Sequence, residues 1–163
     1  MLFVLGIIGI LSAIATPQML RARQSAGATS AIGSLRAISS AQLTFALTCG
    51  GGFYAPKMST LGNPPPGSTE PFIAGGLGTA DTAIKSNYRF QMSATAWAGA
   101  PASCNGLAAG STGQGFKASA DPTEPDNPRF FAINANTAVF EHTASLAAIM
   151  PEVGDPPIGH VLQ

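Results

Sequence analysis

The sequence predicts an α+β protein: one long N-terminal helix whose C-terminal half packs on a small antiparallel β-sheet head. Three observations predict it. Met1 to Thr16 contains no charged side chain and only Ser12 and Thr16 as polar ones, and the chain stays compatible with helix to about Leu47. The consecutive glycines Gly50, Gly51 and Gly52 then stop that helix, since glycine favours the backbone conformations found just past a helix end. Beyond them lie only short runs that alternate apolar and polar residues, the period of half-buried strands. The expected organisation is a hydrophobic helix over 1–23, an amphipathic continuation over 24–48, and a globular head with long loops over 49–163.

The first segment decides the class. An uncharged run of this kind is not the water-facing side of a globular domain, and it matches lipid or other apolar helices. The filament-core or membrane residues are expected to be Leu2, Phe3, Val4, Leu5, Ile7, Ile8, Ile10, Leu11 and Ile14. A bilayer needs about 20 such residues, and this run offers 16 before Pro17. No Lys or Arg precedes the apolar core, and helix-compatible sequence continues past Arg23, so the run is expected to be retained rather than cleaved as a signal peptide. Within it Gly9, Ser12, Thr16 and Pro17 are weak helix formers or hydrogen-bond breakers. They mark the stretch expected to unwind in an assembled filament.

From Gln18 to Leu47 no proline interrupts. Ala28, Ile32, Leu35, Ile38, Gln42 and Phe45 recur at helical spacing as the sheet-facing side. Ser25, Thr29, Arg36, Ser40 and Thr44 form the opposite face. Phe53 to Ala83 reads as loop, with Phe53, Tyr54, Met58, Leu61, Phe72, Ile73 and Leu77 as anchors on the core. Strands are expected at Asn87 to Thr95, Gly115 to Ala120, Arg129 to Asn134 and Ala138 to Thr143, the last two joined as a hairpin through Ala135, Asn136 and Thr137. The tail from Met150 is expected to lie extended on the surface.

The residues IIGILSAIATPQMLRAR, Ile7 to Arg23, resemble the N-terminal segment of type IV pilins and pseudopilins: a Gly-containing Ile/Leu/Ala run, a proline, then a helix entered through arginines. CGGGFYAP, with the Leu61-Gly62 turn that follows, is similar to the start of many pilin-type heads. The resemblance implies the type IV pilin fold, polymerisation through the hydrophobic helix into a helical homopolymer, inner-membrane anchoring before assembly, handling by a pilus assembly machinery, and an extracellular filament as destination. It also implies an N-methylated first residue and a buried Glu shortly before this segment. Neither that Glu nor the processing glycine is in the sequence, and aligning Gly9 and Pro17 with the family places about five residues ahead of Met1, which restores a span of about 21 apolar residues. Arg21 and Arg23 would by charge alone face the cytoplasm; the resemblance assigns orientation to a basic leader instead.

An exported head sits in an oxidising compartment, where an even cysteine count points to a bridge. Cys49 and Cys104 are therefore expected as a disulfide, which stabilises by about 3–4 kcal/mol for a loop of about 56 residues. Neither has a neighbouring cysteine or histidine at metal-ligand spacing.

Composition narrows the function classes. Charged residues are 10% of the chain, against about 25% in ordinary soluble domains, so much of the surface is Ala, Gly, Ser and Thr and suited to packing against copies of itself. Residues 1–69 hold Arg21, Arg23, Arg36 and Lys57 and no acid, whereas the remainder holds all eight acids against four bases, giving +4 and −4. Such polarity favours stagger in a head-to-tail array. No basic cluster interleaved with aromatics implies nucleic-acid binding, no phosphate-loop lysine follows the glycines, and no nucleophile motif accompanies His142 beside Glu141; no cofactor and no catalytic residue is expected. Asp121, Glu124 and Asp126 read as a solvated proline turn, although the calcium loop of major pseudopilins offers an alternative. A major pilin is the leading expectation, a secretion-system pseudopilin the second, and a monomeric membrane-anchored binding module the third.

Overall fold

The structure, a computed structural model, describes the backbone of residues 2–162 and the side chains of 18–162. One helix, α1, runs Leu2–Thr48, about 70 Å at 1.5 Å per residue. A single turn, α2 (Met58–Leu61), follows. Then come six strands: β1 (Thr82–Lys85), β2 (Tyr88–Ser93), β3 (Lys117–Pro122), β4 (Phe130–Asn134), β5 (Val139–His142) and β6 (His160–Val161). They form one sheet in chain order, every neighbouring pair antiparallel.

The helix is continuous through Gly9, Ser12, Thr16 and Pro17 in this single chain. Their side chains, and those of the expected core residues Leu2, Phe3, Val4, Leu5, Ile7, Ile8, Ile10, Leu11 and Ile14, lie outside the described residues. Among the described residues no helix is long and apolar enough to cross a membrane.

From Ala28 onward the amphipathic pattern determines the packing. Ala28, Leu35, Ile38 and Phe45, on the face predicted from spacing, are fully buried, and so is Ala31, while the predicted Ile32 is half-buried at the edge of the core. They meet Tyr88, Phe90, Ala118, Ala120, Phe131, Ile133 and Val139 on one side of the sheet. Gln42, within that apolar row, is also fully buried. Its amide donates to the Ala55 carbonyl at 2.8 Å and accepts from the Ala55 N–H at 2.8 Å, so a backbone-like pairing satisfies the polar group in the core. Ser25, Thr29, Arg36, Ser40 and Thr44 are exposed.

The far side of the sheet has its own cover. Ala132 and Phe140 point away from α1 and pack under Leu146 and Met150 of the C-terminal segment. Sequence reasoning expected three or four strands. It placed β2 to β5 to within three residues at each end, and missed β1, α2 and β6, which are too short to show a period. The tail runs through bends at 152–154 and 157–158 rather than as one extended stretch, and returns as the edge strand β6 on β5.

Candidate assembly surface

Where α1 leaves the head, the β1–β2 turn backs against it. Ser86 and Asn87 both have positive φ, 52° and 63°, the conformation of a tight turn whose twist matches the hairpin. Ser30 Oγ lies 2.9 Å from Ser86 Oγ. Gly27 is the point of closest approach, because a Cβ there would sit 3.0 Å from the Ser86 carbonyl oxygen. The turn is held from below as Asn87 Nδ2 donates to Glu124 Oε1 at 2.6 Å and the Thr123 N–H donates to the Asn87 carbonyl at 2.9 Å. Arg23, Ala26, Gly27, Ser86 and Asn87 surround an open cleft of about 400 Å³ at this junction.

N-terminal to the junction, among the described residues, the helix is exposed on every side. Gln18 to Arg23 are all exposed, with Met19 at 61% and Leu20 at 51%. Among the described residues Arg21 and Arg23 have no ion-pair partner. Two unsupported turns carrying large apolar and cationic side chains form a surface that packing within the head does not complete.

At the other end of α1, Cys49 and Cys104 form the expected disulfide across a sequence separation of 55, and the Cys104 N–H donates to the Cys49 carbonyl at 3.0 Å. Cys49 is buried and Cys104 exposed. The bridge fastens the helix end to the Trp97-containing loop between β2 and β3. That loop is also tied at Gly113, which exchanges backbone hydrogen bonds with Tyr54 at 2.8 and 3.0 Å. A Cβ at Gly113 would lie 2.7 Å from the Thr95 carbonyl oxygen, so only glycine fits there.

The C-terminal segment is pinned by amides. Asn134, fully buried, donates from Nδ2 to the carbonyls of Pro151 at 3.2 Å and Gly154 at 2.6 Å. The Ala135 N–H donates to the Glu152 carbonyl at 3.1 Å, and the Gly154 N–H to Asn136 Oδ1 at 3.2 Å. Glu152 Oε1 accepts from the N–H and hydroxyl of Thr95 at 2.6 and 2.7 Å. This ordered segment leaves Val153 at 60%, Ile158 at 43% and Val161 at 47% exposure.

The residues weighed for chemistry fall into structural settings. Glu141 accepts from Arg129 Nε at 2.5 Å and Nη2 at 3.1 Å, while the guanidinium lies 5.2 Å from the Phe131 ring centre. The Arg129 hydrogen bond holds the Glu141 carboxyl below the usual carboxylate range and in turn raises Arg129. His160 Nε2 stands 4.0 Å from Glu141 Oε2. His142 Nδ1 accepts from the Ala144 N–H at 3.1 Å. Asp121 Oδ2 accepts from Ser145 at 2.7 Å, Glu124 is engaged with Asn87, and Asp126 is exposed. Among the described residues no three metal-ligating side chains come together. A depression of about 90 Å³ beside Lys117 and Met150 is small against the roughly 300–1,000 Å³ of ligand pockets.

No known family model, curated protein or solved structure matches this chain.

Proposed function

We propose that this chain is the structural subunit of a type IV pilus-like filament, a major pilin, anchored in the inner membrane by its hydrophobic N-terminal helix and polymerised through that helix into an extracellular homopolymer. One observation carries the reading: a single 47-residue helix has a head packed on its C-terminal half, and the six residues Gln18 to Arg23 that precede the junction all stand exposed. In the proposed mechanism the apolar run exchanges lipid for a bundle of identical helices. Burial is worth about 25 cal/mol per Å² of apolar area in either setting, so packing against sister helices and pairing of charge decide the direction. The weakly charged outer face of α1, where Leu43 and Leu47 stand exposed beside Ser40 and Thr44, offers apolar area to neighbours. The role is non-enzymatic and needs no cofactor. The disulfide supports an oxidising destination.

The test is electron microscopy of material sheared from the cell surface, with peptide mapping of the chain it contains. Long filaments built from this chain, with a methylated N-terminal residue, are expected. Short filaments retained with a secretion machinery would reassign the chain as a pseudopilin. A monomer confined to the membrane fraction would overturn the filament reading in favour of an anchored binding module.

A further inference from the structure

The exposed neck and the C-terminal segment are complementary in two independent ways. Both are apolar where they face solvent: Met19 and Leu20 on the neck, Val153 and Ile158 on the segment. Their charges are opposite. The neck carries Arg21 and Arg23 with no acid within 1–69, whereas from Phe130 to the end there is no Lys or Arg; Asp155 is exposed within the apolar stretch, and Glu152 beside it is half-buried with one carboxylate oxygen engaged by Thr95. Contacts within one chain leave this complementarity unused, because α1 lies on one side of the sheet while Leu146 and Met150 seat the segment on the other.

We propose that the neck of one copy, Met19 to Arg23, docks on the C-terminal segment of a second copy, Glu152 to Ile158, with Arg21 and Arg23 directed to the exposed Asp155. The inference rests on the filament reading and names the contact that sets the stagger between successive heads. The two surfaces differ, so the contact is heterologous; when its rotation does not close, it propagates into an open helical polymer. The segment is held in advance by Asn134 and Asn136, so docking costs little ordering. Exposed charges of opposite sign steer and register the encounter.

Both native cysteines are bridged to each other, which leaves introduced thiols unambiguous. Filaments of the full chain carrying Leu20→Cys and Val153→Cys are expected to give a ladder of dimers, trimers and higher species under mild oxidation, while either single variant stops at dimers or below. Arg21→Glu with Arg23→Glu is expected to cut filament yield by about tenfold or more, and adding Asp155→Lys to restore part of it, as charge registry predicts. An unchanged melting transition in each variant establishes that the head is folded. Normal filaments with no ladder and no effect of charge reversal overturn the docking contact while leaving the filament reading intact. Absence of filaments in the unaltered chain overturns that reading and the contact with it. If charge reversal instead releases the full chain from vesicles containing anionic phospholipid and leaves filament yield unchanged, the arginines serve a membrane surface and the proposal fails.

Discussion

Two stretches of α1, Gln18 to Arg23 and the part from Ala28 onward, have opposite surroundings. Ala28 to Cys49 lies on the sheet with its apolar row at or near zero exposure, whereas Gln18 to Arg23 is helical with every residue exposed. Helix propensity does not separate them, since Met19, Leu20, Arg21, Ala22 and Arg23 are all good formers. The separation lies in what stands beside each half. The contacts that stabilise the head lie in the second stretch, and Gln18 to Arg23 contribute none of its buried core.

The largest expected effect tests that division directly. Phe45→Ala, at full burial against Phe72 with ring centres 5.4 Å apart, should destabilise the detergent-solubilised full chain by about 3–5 kcal/mol. Leu20→Ala should change it by less than about 0.5 kcal/mol. Comparable losses in urea unfolding would break the comparison. Next, replacing Cys49 and Cys104 together by Ser, or reducing the bridge, should cost about 3–4 kcal/mol; a shift in the urea midpoint with and without reductant reads it.

A smaller effect sharpens where the halves meet. Gly33 is exposed and a Cβ there would touch nothing within 4 Å, whereas at Gly27 it would crowd the Ser86 carbonyl. Gly33→Ala should therefore stabilise by about 0.5–1 kcal/mol. Gly27→Ala should forfeit that gain, and equal midpoints for the two variants would remove the β1–β2 turn as the boundary. The smallest effect is pH dependence at the far end of the sheet. Because the Glu141 carboxyl is lowered in the folded chain, its ion pair with Arg129 contributes fully above the ordinary carboxylate value of 4.5 and is lost as pH falls through the lowered one. Glu141→Gln should flatten the fall in melting temperature on acidification, and an unchanged slope would exclude the pair as its source.

The buried half was legible because a 3.6-residue period is written into Ala28, Leu35, Ile38 and Phe45, and Gln42 was assigned to the correct face although its Ala55 partners were not visible. β2 was legible for the same reason at period two, with Tyr88, Phe90 and Met92 inward. β1, with the sequence TAIK, is four residues long with a single buried position; it becomes a strand by pairing with β2 rather than by its own pattern. The Ser86–Asn87 turn left no glycine signal, since its positive φ values are held by Glu124 and Thr123 from far along the chain. Of the candidate surface, the basic neck and acidic C-terminal part were readable as charge. The anchoring of residues 150–154 by Asn134 and Asn136 was not, because its acceptors and donors are backbone groups brought together only by the meander.

The Cys49–Cys104 bridge also has a mechanical meaning. A pull along α1 from its N-terminus is first resisted by the packing of Ala28 to Phe45 on the sheet, and what passes that packing to the helix end is handed by the covalent link at Cys49 straight to Cys104. The chain between them cannot be drawn out while the bond is intact. That sequence separation of 55 would otherwise yield about 180–200 Å of slack at full extension. The enclosed stretch holds α2, β1 and β2, so the extension of this part of the head under load is limited by a bond rather than by packing.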